Sequence, residues 1–276
     1  MKIQFIVLGA VLTLLVGCGG GSSTSSTATT SSVSGAVADG YLVNATVFLD
    51  KNFNYQLDVG EPSTTTDASG AYTLQVDTAD IGRYPLVALA TQGVTIDLDS
   101  NTAVASSYVL SMHATAVTAS TSTSVSGTVS NFVSPMSSQI RELMETGNYT
   151  TPQQAMEALR IQLGLPVGTN MMQNFLAASN STTTAMHTAA RNMVALMQSQ
   201  TALVMGTSGA ANSVDVNRYR AMMGIIYSSL PSTGGTDAQA AISTCMGTMN
   251  AALSSIPTGM SFRNMSSAFG GRMMQW

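Results

Sequence analysis

The stretch from Asp50 to Glu61, DKNFNYQLDVGE, carries an oxygen-bearing side chain at every second position of its first half and closes on a carboxylate. Counted from Asp50, side-chain oxygens fall at position 1 (Asp50), 3 (Asn52), 5 (Asn54), 9 (Asp58) and 12 (Glu61), with Gln56 at position 7, where a backbone carbonyl serves. A hard cation taking six to eight oxygens needs such spacing, because it gathers successive side chains around one centre while the backbone turns. Calcium bound by Asp50, Asn52, Asn54, Gln56, Asp58 and Glu61 is the chemistry these residues offer. The competing reading is a solvated acidic turn between two strands, since turns are rich in Asp and Asn for local hydrogen-bonding reasons.

The spacing is that of an EF-hand-type loop, including the apolar Leu57 at position 8, with two departures. Position 6, normally Gly for the sharp turn, is Tyr55, which must take an awkward backbone conformation or reshape the loop. The flanks are a strand and Glu61-Pro62, so the loop cannot open as a helix-loop-helix sensor does. Three carboxylates diluted by Lys51 set a weak affinity, on the order of 10⁻⁴ to 10⁻³ M.

Other chemistries find less. His113 and His187 are the only histidines, and no G-x-S-x-G, H-E-x-x-H, C-x-x-C or glycine-rich phosphate loop accompanies them. No catalytic residue and no enzymatic activity are expected. Seventeen of the nineteen methionines lie from Met136 onward, which raises Cu(I), selected by soft thioethers, as an alternative metal. Helical spacing favours core packing for the internal ones instead: Met186, Ala190, Met193, Met197 and Val204 form one stripe, and Tyr219, Met222, Met223, Ile226 and Leu230 another. The copper alternative therefore rests on Met260, Met265, Met273 and Met274, which have no clear period.

The N-terminus, MKIQFIVLGAVLTLLVGC, is one Lys followed by an apolar run too short to span a bilayer comfortably as a helix of about 20 residues. Residues 1–18 read as a secretory signal. Leu15-Val16-Gly17-Cys18 resembles the lipobox of bacterial lipoproteins, whose cysteine is diacylated and becomes the first mature residue. The resemblance implies lipidation at Cys18 and attachment to a membrane through that anchor. Gly19, where lipoproteins kept at the inner membrane typically carry Asp, implies the outer membrane, facing the periplasm or the cell surface. Residues 19–32, GGGSSTSSTATTSS, form a flexible tether. Cys245, the remaining cysteine, shares a helical face with Ile242, Met246, Met249 and Leu253 and reads as a buried thiol.

Residues 33–130 alternate as strands do, in VSGAV, YLVNATVFLD, AYTLQV, YPLVALAT, GVTIDLD and AVASSYVL, with turn residues at the corners. A small antiparallel β-sandwich follows. Ala45-Thr46-Val47-Phe48-Leu49-Asp50, the Asp- and Asn-rich loop, and Thr66-Asp67-Ala68-Ser69-Gly70-Ala71-Tyr72-Thr73-Leu74 occur in an order that resembles the prealbumin-like, B-type immunoglobulin-like modules of bacterial surface proteins, related to the carboxypeptidase regulatory-like fold.

From Ser134 the period becomes helical. Ser134-Pro135 and Thr151-Pro152 read as N-caps followed by Pro at the first helical position, with Gly147 and Gly164 at the ends. Helices are expected near 135–146, 152–163, 170–178, 182–205, 214–229 and 237–254, a methionine-rich bundle over 131–256, with 257–276 as a tail. The run VSPMSSQIRELMETGNYTTPQQAMEALRIQLGLPVGTN resembles a stretch of bacterial surface lipoproteins that follows such a sandwich. The fold class expected is thus α+β in separate domains.

Residues 33–112 carry nine acids against Lys51 and Arg83, whereas residues 113–276 carry five acids against seven Arg. This split implies different partners for the two regions or regions that face each other. No basic face or aromatic platform accompanies the Arg residues, which argues against nucleic acid. The role expected is that of a lipid-anchored, extracytoplasmic binding or structural protein whose partner is a protein or surface ligand.

Overall fold

The structure, a computed structural model, describes residues 29–120, 131–206 and 213–258. The first part forms strands β1 (Thr30–Val37), β2 (Leu42–Val43), β3 (Thr46–Leu49), β4 (Ser63–Thr65), β5 (Ala71–Asp77), β6 (Leu86–Ala90), β7 (Ile96–Asp97), β8 (Thr102–Ala103) and β9 (Tyr108–Met112). The chain then makes β10 (Phe132–Val133) and six helices: α1 (Pro135–Glu145), α2 (Pro152–Gln162), α3 (Ser181–Ser199), α4 (Thr201–Val204), α5 (Val216–Thr233) and α6 (Gln239–Ser254).

Two sheets make a sandwich-like body, with strand orders β10-β1-β5 and β4-β3-β6-β9, and a small sheet β2-β7-β8 lies beside them. In β5 the alternation is clean, with Tyr72, Leu74 and Val76 buried and Thr73 and Gln75 exposed. By contrast β6 and β9 are buried at all five positions, which requires cover on both faces. For β9 that cover includes β10 on one side and helices α1 and α3.

The expectation of two separate domains does not describe this arrangement. β10 lies beyond the anticipated boundary at residue 130, yet it pairs in parallel with β1, Ala36 opposite Phe132 and Val37 opposite Val133. One buried apolar cluster joins Val33, Leu49 and Leu110 of the strands to Ile140, Met193, Ile226 and Met249 of the helices. Asn131, at φ 56°, knots the junction: its side chain accepts from Thr118 N and donates to the Ser34 and Thr118 carbonyls. Strand β1 also begins at Thr30, inside the stretch expected to be tether, with Thr30, Ser31 and Ser32 opposite Asp77, Val76 and Gln75.

The helix ends follow their signals. Ser134 accepts from Ser137 N in a capping box, Thr151 accepts from Gln154 N, and Pro135 and Pro152 open the helices. Gly147 and Gly164 hold φ of 79° and 64° where α1 and α2 stop. Residues 170–178 make turns instead of the expected helix, because Asn170 and Asn174 accept from the N–H groups two residues on, at Met172 and Leu176. Helix α5 runs past its expected end and through Pro231. Pro231 has no N–H to give the Tyr227 carbonyl, and Gln162 Nε2 donates there at 3.0 Å.

Helix α1 docks on an edge. Strand β9 ends its sheet, so the outward N–H and C=O of alternate residues need partners. Ser138 Oγ accepts from Ser111 N at 2.8 Å, and Ser137 Oγ donates to Ser111 O at 2.7 Å. Tyr219 on α5 donates to Val109 O, and Thr201 on α4 donates to Ser107 O at 2.7 Å. Three helices thereby complete one strand, which is why Ser134, Ser137 and Ser138 are buried. Ser138→Ala leaves the Ser111 N–H without its acceptor and is expected to cost about 1–3 kcal/mol. Ser228→Ala, at an exposed site, should change stability by less than about 0.5 kcal/mol. Denaturant unfolding of both variants checks the contrast.

Candidate functional site

The Asp50–Glu61 segment connects β3 to β4, and its base is closed by Leu49 N donating to Pro62 O at 3.1 Å and Asp50 N donating to Pro85 O at 3.0 Å. Inside it the side chains of Asp50, Asn52, Asn54 and Glu61 turn the backbone. Asp50 Oδ1 accepts from Asn54 N at 3.0 Å, and Asp50 Oδ2 from Tyr55 N at 3.1 Å. Asn52 Oδ1 accepts from Asn54 N, and Asn54 Oδ1 from Gln56 N. Glu61 spans the mouth, accepting from Lys51 N at 2.6 Å and Asp58 N at 3.0 Å through its two oxygens.

The side chains at positions 3, 5 and 9 converge: Asn52 Nδ2 and Asn54 Nδ2 each donate to Asp58 Oδ2 at 2.7 Å. Two amide N–H groups thus lie on a carboxylate oxygen where a cation ligand set would place a positive charge. Among the described residues no three His, Cys, Asp or Glu side chains are grouped as a metal set, and the convergence here is of amides on a single carboxylate. Lys51 leaves the loop and pairs with Asp80 at 2.6 Å, lying over the Tyr84 ring.

Phe53 and Tyr55 hold φ of 64° and 62°. For a side-chain-bearing residue this costs roughly 1–2 kcal/mol. Burial offsets it at Tyr55, whose ring lies 4.6 Å from Tyr219 and beneath the Arg141 guanidinium, 3.8 Å from its centroid. The Tyr55 hydroxyl donates to Glu142. Position 6 is therefore the loop's anchor, and its left-handed backbone is the conformation the sharp turn demands of glycine elsewhere.

Around that anchor lies a buried ion network that local sequence patterns do not reveal. Arg141 of α1 has no exposed side-chain surface; its NH2 is 3.2 Å from Asp50 Oδ2 and its Nε 2.7 Å from Glu145 Oε1. Arg220 of α5 pairs with Glu145 and stands 3.8 Å from Glu142. Burial raises the carboxyls of Asp50 and Glu142 above their usual range, partly countered at Asp50 by Arg141 and at Glu142 by Arg220 and Arg141. For Arg141 burial acts against the charge, but Tyr55, Glu145, Asp50 and Glu142 outweigh it and hold the guanidinium more firmly protonated than usual. Gln56 adds a further tie, donating from Nε2 to Val214 O at 3.1 Å. The loop is a docked joint between strands and helices, and the solvated-turn reading does not fit Asp50 and Tyr55.

The remaining sequence candidates fall apart in space. His113 accepts from Thr115 N to cap a short turn, and its pKa is lowered by burial. His187 Nε2 lies 2.6 Å from Asp99 Oδ2 and stacks on Phe175. Met136, Met171, Met186, Met193, Met197, Met222, Met223 and Met249 are buried in the apolar cluster, and Cys245 is buried beside them. Cys18, Met260, Met265, Met273 and Met274 lie outside the described residues. Compared with known proteins, the chain matches no family model, no curated protein and no solved structure.

Arg141→Met is expected to destabilise by about 3–5 kcal/mol, because Asp50, Glu142 and Glu145 keep their burial and lose a cation. Asp50→Asn should cost less in that background than alone, with a coupling of about 1.5 kcal/mol or more, measured by denaturant unfolding in chelator. Strictly additive costs would mean that the two residues are not a pair.

Proposed function

We propose that this protein is a lipid-anchored extracytoplasmic binding or structural protein, attached to the outer membrane through Cys18, in which the Asp50–Glu61 loop takes a structural calcium ion. The observation that carries the calcium reading is the loop's wrap: Asn52, Asn54 and Asp58 face one point, with left-handed backbone at Phe53 and Tyr55. The donor set fits a hard cation, being oxygen from Asp50, Asn52, Asn54, Asp58 and Glu61 with the Gln56 carbonyl, and Lys51 is drawn off to Asp80. Asn52 and Asn54 would present their amide oxygens rather than their N–H groups, a half-turn of each amide.

The anchoring part rests on the Leu15-Val16-Gly17-Cys18 resemblance and on the polar tether behind it. Among the described residues no helix is long and apolar enough to cross a membrane, which is compatible with attachment by lipid. A binding or structural role agrees with much of the titratable inventory being spent on internal ties: His113 caps a turn, His187 meets Asp99, and Asp50, Glu142 and Glu145 face arginines. The partner is a protein or surface ligand, a setting supported by the resemblance of the run from Val133 to Asn170 to a stretch of bacterial surface lipoproteins.

Calcium titration by calorimetry on residues 19–276 carrying Cys18→Ser tests the reading. One ion is expected, with a dissociation constant on the order of 10⁻⁴ to 10⁻³ M. At about ten times that concentration the gain is roughly 1.4 kcal/mol, seen as a rise of a few degrees in Tm. The control is Asn52→Ala with Asp58→Ala, which spares the Asp50 to Arg141 pair and should abolish binding. Absence of binding up to several millimolar calcium would reduce the loop to a docking joint alone.

A further inference from the structure

A cavity of about 240 Å³ opens between the Asp39–Gly40 turn, the segment 97–105 and helix α3. Asp39 lines it and is only 5% exposed. The Tyr108 hydroxyl donates to Asp39 Oδ1 at 2.9 Å, and Asp39's own backbone N–H also supports the carboxyl, leaving Tyr108 as its one side-chain donor among the described residues. Burial first, then the neighbouring Asp97, pushes the Asp39 pKa up to about 7. Asp97 lies on the same wall, its oxygens accepting from Asp99 N and the Ser100 hydroxyl. The turn must pass close: a Cβ on Gly40 would lie 2.4 Å from Asp97 Oδ1 and 2.7 Å from Asp99 Cγ.

Arg191 stands 3.9 Å from Asp99, and the His187 ring lies 2.6 Å from the same carboxylate. Asp39 and Asp97 have no paired cation among the described residues, and a buried carboxyl without one is costly when ionised. A ligand bearing a positive charge would remove that cost. Volume and walls argue for an organic cation over a bare ion, since the space is several times the roughly 30 Å³ of one water and Val104 and Val194 form part of it. It is also smaller than a drug-sized pocket. Arg191 at the rim, with its side chain 65% exposed, offers a guanidinium to a carboxylate.

We propose that this cavity binds a small α-amino acid, its ammonium on Asp39 and Asp97, its carboxylate toward Arg191 and a short apolar side chain against Val104 and Val194. The site is independent of the calcium loop.

Calorimetry on residues 19–276 with Cys18→Ser, using glycine, alanine, valine and leucine as probes and isobutylamine as an amine lacking the carboxylate, tests it. One-site binding of at least one amino acid is expected, weakened about tenfold or more by Asp39→Asn and by Arg191→Gln. Isobutylamine should bind more weakly and be indifferent to Arg191→Gln. Binding should also strengthen from pH 5 to pH 8 as Asp39 ionises, with Tyr108, Asp97, Asp99, His187 and Arg191 as the other charged or titratable groups facing the turn. Asp39→Asn is isosteric and Arg191 is exposed, and an unchanged circular dichroism spectrum confirms that both variants fold. No binding of any probe at 10 mM overturns the proposal, as does binding that both variants leave intact. Calcium or magnesium binding lost in Asp39→Asn but retained in Asn52→Ala with Asp58→Ala would overturn it in favour of a metal site.

Discussion

A guanidinium with no exposed surface sets the terms for the rest of the molecule. Arg141 could not remain charged in the interior without Asp50 and Glu145 within hydrogen-bonding reach and the Tyr55 ring beneath it. Those partners come from a connection between strands and from α1 itself, so the cation meets its carboxylates only when loop and helix are together. Apolar residues would give comparable stability at such a place. What the ions add is register, since a slide of α1 by one turn would strand Arg141 away from Asp50 and leave Tyr55 without Glu142.

The same helix solves a second problem. A four-stranded sheet ending in β9 has an open edge, and the chain closes it with Ser137, Ser138, Thr201 and Tyr219 in place of another strand. Edge completion and ion pairing act from opposite ends of α1: the N-terminal serines fix it on Ser111, and Arg141, Glu142 and Glu145 fix it to the loop and to α5. The strands and helices therefore share one core.

The parts legible in the sequence were those governed by neighbours in the chain. The caps at Ser134 and Thr151, the alternation in β5 and the methionine stripes of α3 and α5 follow local rules, and the structure has them. The oxygen spacing from Asp50 to Glu61 was visible too, but Tyr55 at position 6 read as a defect, because the rule asking for glycine knows nothing of Glu142, 87 residues away. Arg141 lies among Ser, Gln and Glu, a composition that local patterns assign to water, and its partner Asp50 is 91 residues distant. The division of charge between the two halves was the one hint, realised in the Asp50 to Arg141 and Asp99 to Arg191 pairs. The Asn170 and Asn174 turns were missed because side chains that compete with the helix do not disturb its apolar period.

A crystal structure of residues 19–276 grown in several millimolar calcium tests the central claim most directly, because it examines the docking joint and the ion together. The account predicts one ion at about 2.3–2.6 Å from oxygens of Asp50, Asn52, Asn54, Gln56, Asp58 and Glu61, with Arg141 still buried against Asp50 and Tyr55. A loop that lifts from α1, with Arg141 in solvent and no ion within it, would contradict both halves of that claim.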